Sequence, residues 1–194
     1  GQNIKGKQDG LRIDADTGFP EPESRFISRE LPYEYLKISD GCDRICSYCV
    51  IPLIRGRYRS RPMPDIIREA EILADAGKKE IILVSQEGTG YGRGSEDGAD
   101  IIKLLSELEK VEGIKWIKLM YLHPEGITEK LIEHITFSPK VLGYFDIPLQ
   151  HINNDILTRM NRHVSRLEIE KVLRMIRDIS KSNIIRTTFI AGFP

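Results

Sequence analysis

All three cysteines of the chain lie in one eight-residue window, as Cys42, Cys46 and Cys49. Thiolates are the ligands that zinc and iron–sulfur centres prefer, so three of them on one short segment indicate a metal site. A closed structural zinc site takes four protein ligands, whereas this window supplies three. The cysteines therefore predict a metal centre with one coordination position that no cysteine fills.

Two other interpretations of the window stay open on the residues alone. Free cysteines can pack as small buried hydrophobic groups, although Asp43 and Arg44 inside the window disfavour that interpretation. A structural zinc ion would need a fourth ligand, which His123 or His151 could supply, but neither belongs to a paired-ligand spacing. An iron–sulfur cluster bound by thiolates is the remaining interpretation.

Charge and cysteine content limit the function classes. The 29 Lys and Arg residues balance 29 Asp and Glu residues, so the basic character typical of a nucleic-acid-binding domain is absent. No apolar run is long enough to span a membrane. An odd, clustered set of cysteines does not suit a disulfide framework, and we expect a reducing, cytoplasmic setting. Because the chain starts at Gly1 and stops at Pro194, we expect a piece of a longer protein.

Strand-like and helix-like segments alternate along most of the chain. Residues 1–32 are rich in Gly, Pro and acidic residues, which indicates a linker or N-terminal extension before a domain at 33–194. The predicted strands are 35–39, 80–85, 115–121, 144–149 and 184–191, and the predicted helices are 65–76, 100–111, 128–137 and 167–180. This alternation predicts an α/β fold whose parallel strands form an open sheet or most of a barrel.

The cysteine window follows directly after the first predicted strand. In parallel sheets and barrels, binding and catalytic residues lie on loops at the carboxyl ends of the strands. Gly41 precedes Cys42 and allows a tight turn or a close approach of the backbone to a cluster. Elsewhere Ser165 and Glu168 have capping-box spacing and predict a helix start.

The spacing Cys-x-x-x-Cys-x-aromatic-Cys, with Tyr48 as the aromatic residue, resembles the signature of the radical S-adenosylmethionine (SAM) enzymes. That resemblance implies that Cys42, Cys46 and Cys49 bind three irons of a 4Fe–4S cluster whose fourth iron binds SAM. Reductive cleavage of SAM then gives a 5′-deoxyadenosyl radical. It also implies a partial (β/α)6 TIM-like barrel, of which this chain would supply five strands and end before the sixth.

Further motifs resemble one branch of these enzymes, the methylthiotransferase family. They lie at residues 41–52, 55–62, 83–86, 91–92, 160–162 and 186–194. One subfamily modifies the β-carbon of an aspartate in the twelfth protein of the small ribosomal subunit, and another modifies isopentenylated adenosine in tRNA. Residues 85–87, 121–124 and 144–151 are more similar to the ribosomal subfamily, although Glu87 replaces its usual Asp and 152–153 replace small residues. We therefore expect the ribosomal substrate, with tRNA as the alternative and a non-catalytic metal-binding module as the second.

The resemblance also implies contacts to SAM. It places Tyr48 against the adenine of SAM, although ordinary loop packing would suit a tyrosine equally well. Residues at the ends of strands are expected to hold SAM or to frame the substrate pocket; they are Ser85, Gln86, Gln150, His151, Thr188 and Ile190. The alternatives are a hydrogen-bonded core position for His151 and buried strand positions for the last two.

Four arginines alternate at positions 55, 57, 59 and 61. An extended segment would place them on one side, where Arg59 and Arg61 could contact a SAM or substrate carboxylate or ribosomal RNA. A solvated surface loop is the plainer interpretation. Asp146 lies on an apolar strand and needs a partner if it is buried, and Arg186 is the candidate.

The family also implies partners that lie outside this chain. Its members have an N-terminal domain with three more cysteines, which hold a second 4Fe–4S cluster that carries the inserted sulfur. The expected partners are the small-subunit ribosomal protein, possible ribosomal RNA contacts and an electron donor such as flavodoxin, with no membrane. We therefore expect this chain to generate the radical but not to complete methylthiolation.

Overall fold

The computed structural model describes residues 18–28, 30–95 and 98–194. Its strands are β1 (Tyr33–Lys37), β2 (Ser39–Asp40), β3 (Arg59–Ser60), β4 (Glu80–Val84), β5 (Trp116–Leu119), β6 (Tyr144–Asp146) and β7 (Ile184–Arg186). Its α-helices are α1 (Ile51–Arg55), α2 (Met63–Asp75), α3 (Ile101–Leu108), α4 (Glu129–Phe137), α5 (Asn154–Arg159) and α6 (Arg166–Ile179). Strands and helices alternate along the chain, which confirms the predicted α/β class.

Five parallel strands follow one another in chain order. The first three, β1, β4 and β5, form one parallel sheet, and β6 pairs with β7 in parallel. A parallel bridge between Ile117 and Val141 and a 2.8 Å hydrogen bond from the Leu122 N–H to the Asp146 carbonyl connect the two sheets. Longer helices connect successive strands, as expected for parallel strands that need crossover connections. This arrangement is the incomplete barrel that the sequence predicted.

The strands bury one face against the helices and expose the other. Leu36 on β1 and Phe145 on β6 are fully buried in the hydrophobic core. Successive strand side chains point to opposite faces, and the neighbouring Tyr35 is accordingly 51% exposed. The apolar stripes of α2, α3, α4 and α6 supply the other half of this core. On the opposite face Tyr35, Ile82 and Lys118 lie side by side, so that face mixes aromatic, apolar and polar side chains.

Side-chain caps fix where the helices begin. Ser165 accepts from the N–H of Glu168, whose carboxylate in turn accepts from the N–H of Ser165. This reciprocal pair is the predicted capping box, and such caps stabilise a helix by about 1 kcal/mol. Thr128 caps α4 by accepting from the Leu131 N–H, and Asn153 caps α5 by accepting from the N–H groups of Asp155 and Ile156.

The structure differs from the sequence prediction mainly in short elements. The fifth predicted strand, 184–191, pairs regularly only as Ile184–Arg186 and continues as an isolated bridge between Gln150 and Phe189. Helices α1 and α5 and the antiparallel pair β2–β3 were not predicted. They contain five, six and two residues, which is too short for a hydrophobic period to appear.

The segment before β1 packs against the domain where the structure describes it. Arg25 forms ion pairs with Glu34 on β1 and Glu69 on α2, and the buried Lys78 donates 2.6 Å to the carbonyl of Leu31. The linker predicted for 1–32 lies largely outside the described residues, and its boundary at residue 32 stays a prediction. Within the described part of the chain, every helix is too short or too polar to cross a membrane.

Candidate metal and cofactor site

The three cysteines lie on a loop, residues 41–50, that leaves the carboxyl end of β1 through β2. Gly41 opens this loop in the left-handed region at φ +73°. A side chain at this position would overlap the backbone carbonyl of Arg57, which passes directly beside it. The Cys42 N–H donates 3.2 Å to the carbonyl of Gly56, so the loop and the segment after α1 run closely together. Glycine is therefore required here for both conformation and space. The tight turn agrees with the sequence prediction, and a close approach to a cluster stays a prediction.

All three cysteines are free thiols of intermediate burial. Cys46 and Cys49 lie within one turn, because the Cys49 N–H donates 3.0 Å to the Cys46 carbonyl. Burial raises the pKa of the Cys42 thiol, and the Arg44 N–H, which donates 3.4 Å to its sulfur, opposes that rise. An N–H aimed at sulfur stabilises a bound thiolate.

The thiols do not converge on one point among the described residues. Among residues 18–28, 30–95 and 98–194, no three or more His, Cys, Asp and Glu side chains are grouped to hold a metal ion. The zinc alternative through His123 or His151 therefore gains no support from the structure. In an iron–sulfur cluster each thiolate binds a different iron, so the sulfurs need not converge on one point.

Tyr48 lies between two of the cysteines and contacts two later parts of the chain. Its hydroxyl accepts a 3.1 Å hydrogen bond from Arg162, and its ring meets Phe193 edge-on with centroids 6.4 Å apart. Burial raises the pKa of Tyr48 to about 12, with Cys46 adding to the rise and Arg162 opposing it. Tyr48 therefore stays a neutral phenol whose ring is held against the end of the chain.

A charged network lies on one side of the cysteine loop. Arg44 donates 2.9 Å to the buried Glu87 after β4 and 2.7 Å to Glu125 after β5. Arg93 also pairs with Glu87, at 2.8 Å. Glu87 therefore bridges two arginines, which accounts for a buried carboxylate at this position but not for Glu in place of the usual Asp.

His123 lies beside this network and is 7% exposed. Burial, together with the nearby cations of Arg44, Arg162 and Arg93, lowers the pKa of His123 to about 2. Its Nδ1 atom has no hydrogen-bond partner. These residues and Cys46 line a cavity of about 410 Å³. A neutral imidazole with a free ring nitrogen can donate or accept one hydrogen bond in this cavity.

A second cavity of about 550 Å³ lies at the carboxyl ends of β1, β4 and β5. Ser85 and Gln86 line it together with Lys37 and Tyr121. The Ser85 hydroxyl and the Gln86 amide oxygen are buried without partners. Buried polar atoms are normally satisfied, so these two are available to a bound polar molecule. The structure thus places both predicted residues at a cavity.

The structure brings together three predicted cofactor residues at the ends of β6 and β7. The Gln150 N–H donates 2.8 Å to the Thr188 carbonyl, and the Ile190 N–H donates 2.8 Å to the Gln150 carbonyl. Gln150 adopts a left-handed φ of +69°. His151 is half-buried, and its Nδ1 accepts from the Asn153 N–H at 3.0 Å. Their roles toward SAM stay predictions.

The four alternating arginines do not form one row. Helix α1 ends at Arg55, so the segment is not extended throughout. Arg61 is 3% exposed and pairs with Glu69 on α2, while Arg59 on β3 lies 5.9 Å from the ring of Phe19. Arg61 therefore stabilises the domain interior, and its predicted substrate contact remains untested.

Sequence reasoning assigned no role to several residues that hold the cysteine loop. Arg44 on the loop pairs with Glu87 of the segment after β4, and Asn161 and Arg162 contact the loop from the segment after α5. The motif at 160–162 resembles that of the family, but its distance along the sequence from the cysteines does not indicate that the two segments are in contact. Asparagine tolerates the left-handed backbone that Asn161 adopts at φ +54°, but with no helix predicted before it this residue gave no signal.

Comparison with known proteins identifies the family. The model of the radical SAM superfamily matches residues 36–194. Since this match spans most of the chain, the chain belongs to the radical SAM superfamily. The resemblance first suggested by the cysteine spacing is confirmed.

Curated relatives indicate which members of the superfamily the chain is similar to. The chain is 48% identical over 170 residues to a ribosomal protein uS12 methylthiotransferase RimO of Thermoanaerobacter sp. (strain X514), covering 88% of this chain and 39% of that protein. It is 48% identical to the RimO of Aquifex aeolicus (strain VF5) with the same coverage, 88% and 39%. A RimO of Geotalea uraniireducens (strain Rf4) is 42% identical over 98% of this chain and 43% of its own length. The chain thus spans about two fifths of these relatives.

Solved structures share the fold. The cobalamin-dependent S-adenosylmethionine radical enzyme OxsB superposes with a TM-score of 0.64 and 19% identity, over 80% of this chain and 23% of that one. The radical S-adenosylmethionine methyltransferase TsrM from Kitasatospora setae gives 0.61 and 18%, over 81% and 30%. At these identities the likeness concerns the fold, and it confirms the predicted radical SAM barrel.

Proposed function

We propose that this chain is the radical-generating core of a methylthiotransferase that modifies the β-carbon of an aspartate in ribosomal protein uS12. The observation that carries the proposal is the set of three free, half-buried cysteines on the loop after β1, at the rim of a barrel whose relatives are named uS12 methylthiotransferases. The carboxyl ends of barrel strands are where such sites lie.

Cys42, Cys46 and Cys49 would hold a 4Fe–4S cluster, leaving one iron for SAM. When bound, this pair of cofactors supplies one-electron cleavage of SAM and hence a radical able to take a hydrogen atom from an unactivated carbon. The donor set supports the assignment, because the loop offers three sulfurs and the Arg44 N–H already points at one of them. Gly41 leaves room for the backbone to run close to Arg57.

The chain's own residues would bind and shield SAM. Ser85 and Gln86 line the 550 Å³ cavity, and their buried oxygens lack partners, so a rotation of either side chain would let it hydrogen-bond the sugar or the amino acid part of SAM. Tyr48 and Phe193 present aromatic edges beside the cysteines and would exclude water from the adenine end. Thr188, Ile190 and Gln150 lie together at the neighbouring strand ends, where backbone groups can read the base.

Substrate recognition would fall to exposed groups at the same rim. An aspartate side chain is an anion, and Arg59 and His151 remain accessible enough to meet it, whereas Arg61 is buried against Glu69. The longer protein would add the second cluster, the sulfur donor and the ribosome contacts, in line with relatives more than twice as long. Free thiols suit the cytoplasm, where a flavodoxin-type donor could supply the electron.

Anaerobic reconstitution of the chain with iron and sulfide tests the core assignment. We expect near four irons and four sulfides per chain, and deoxyadenosine from SAM when a strong reductant is added. Cys42→Ala, Cys46→Ala and Cys49→Ala should each abolish deoxyadenosine formation. Stoichiometric zinc with no SAM cleavage would instead support a structural metal-binding module.

The substrate needs the longer protein. Mass spectrometry of uS12 and of tRNA after reaction with it should find the methylthio group on the uS12 aspartate. Modification of tRNA alone would replace the ribosomal assignment by the tRNA one. Methylthiolated product from the 194-residue chain alone would contradict its role as a radical-generating core that lacks the sulfur donor.

A further inference from the structure

We infer that the C-terminal turn of α5 positions the cysteine loop for metal binding. We call residues 159–162 the α5 clasp. This inference rests on the proposed function, because it concerns how the loop is held for the cluster, but the clasp residues are not themselves ligands. They lie more than 100 positions after the cysteines in the sequence.

Three hydrogen bonds join the clasp to the loop on both sides of Cys46. The Asn161 side-chain amide donates 2.9 Å to the carbonyl of Ile45, the residue before Cys46. Ser47, the residue after it, donates its N–H to the Met160 carbonyl at 3.0 Å and its hydroxyl to the Arg159 carbonyl at 2.9 Å. The backbone around the central cysteine is therefore fixed from outside the loop.

Arg162 holds the loop next to the last cysteine. It is 7% exposed and donates 3.1 Å to the Tyr48 hydroxyl and 3.0 Å to the carbonyl of Pro148, just after β6. Tyr48 directly precedes Cys49. The guanidinium therefore connects the second half of the loop to the carboxyl end of a barrel strand.

The backbone of the clasp explains why its carbonyls are available. Carbonyls in the last turn of a helix have no partner within the helix. Helix α5 ends at Arg159, and Asn161 then turns into the left-handed region at φ +54°. Arg159 and Met160 thus present two free carbonyls, and Ser47 satisfies both.

The loop needs this support because it has little regular structure of its own. Residues 43, 45 and 47 are exposed, and the segment from Gly41 to Val50 contains only a turn. Fixing a free backbone costs conformational entropy at every residue that becomes ordered. A loop that is ordered before metal binding avoids that cost at the binding step, so the clasp should favour cluster retention.

Hydrogen exchange in the metal-free full chain tests the clasp directly. Asn161→Gly keeps the left-handed backbone but removes the amide donor, and Ser47→Ala removes the hydroxyl. We expect amides 45–49 to exchange about twofold to tenfold faster in each variant, the change that loss of one hydrogen bond produces. Ser47→Thr keeps the hydroxyl and should restore slow exchange. Asn154→Ala is the matched control, since Asn154 lies on the same helix but accepts from the Arg166 N–H instead.

Iron release from the reconstituted chain to a chelator gives the second readout. Asn161→Gly and Ser47→Ala should lose iron severalfold faster than the parent and Ser47→Thr, with the thermal unfolding midpoint lowered by at most about 5 °C. Unaltered exchange at 45–49 in both variants overturns the inference, as does faster exchange with unaltered iron release. If the parent chain binds no iron–sulfur cluster, the proposed function fails, and the exchange result alone decides whether the clasp orders the loop.

Discussion

Asp146 at the end of β6 and Arg186 at the end of β7 form a 2.6 Å ion pair across adjacent parallel strands. Asp146 is 1% exposed and also accepts 3.3 Å from the Tyr121 N–H with its second oxygen. The sequence predicted that a buried Asp146 would need a partner and named Arg186, and the structure confirms it. This carboxylate fixes the ends of three strands at the rim where the site lies.

Removing this carboxylate should destabilise the barrel rim. We expect Asp146→Ala to lower the free energy of unfolding by about 2 kcal/mol, because the Tyr121 N–H and the Arg186 guanidinium lose their acceptor. Urea unfolding followed by circular dichroism measures the change. Asp155→Ala, at an exposed position on α5, should stay within about 0.5 kcal/mol of the parent. Equal stability of the two variants would show that the buried pair contributes nothing.

Arg61 should act through stability rather than through substrate binding. Breaking a buried ion pair by removing one partner typically costs about 3–5 kcal/mol, and Arg61 is buried against Glu69. Because Arg25 still pairs with Glu69 in the variant, we expect Arg61→Met to lower the free energy of unfolding by about 2 kcal/mol, below that range. Arg57→Met, at an exposed position, should leave it nearly unchanged. Normal stability of Arg61→Met with weakened SAM or substrate binding would favour the contact role that the sequence suggested.

The sequence predicted the strands, and it picked out the cysteine loop as a candidate metal site, because both signals are local. The apolar run of β4 and the spacing of the three cysteines can be read from consecutive residues. The contacts that shape the site are not local. Arg44 meets Glu87 and Glu125 across 43 and 81 positions, so no period or spacing reveals them. Short elements such as α5 escape prediction for a related reason, since six residues are fewer than two helical turns.

His123 should make the chain less stable in mild acid. Burial and three nearby arginines lower the pKa of His123 from 6.5 to about 2. Below about pH 6.5 the unfolded chain therefore binds a proton that the folded chain does not, and stability falls as pH falls. From about pH 7.5 to about pH 5.5 this group alone should lower the free energy of unfolding by about 1.4 kcal/mol.

Comparison with His123→Gln isolates this effect. The variant should lose about 1.4 kcal/mol less than the parent over the same pH interval, whatever its stability at neutral pH. Urea unfolding at the two pH values gives both numbers. Parallel pH profiles of parent and variant would mean that His123 titrates alike in the folded and unfolded chain, contrary to its burial among Arg44, Arg93 and Arg162.

Gly41 and Gly77 offer a matched test of the space beside the cysteine loop. Both adopt left-handed backbones, with φ of +73° and +87°. A side chain at Gly77 would meet no heavy atom within 4 Å, whereas one at Gly41 would overlap the Arg57 carbonyl. Gly77→Ala should therefore cost only the left-handed strain, about 1 kcal/mol. Gly41→Ala should cost at least about 2 kcal/mol, because the loop must also move away from Arg57.

The Gly41→Ala substitution should also reduce iron binding by the cysteine loop. Moving the loop at residue 41 displaces Cys42, so Gly41→Ala should bind less iron after reconstitution, while Gly77→Ala should bind as much as the parent. Thermal unfolding and iron analysis of the two variants measure both effects. Equal losses of stability in the two variants would mean that the Arg57 backbone can move away from the new side chain at little energetic cost. Full iron binding by Gly41→Ala would mean that the position of Cys42 does not depend on this close approach.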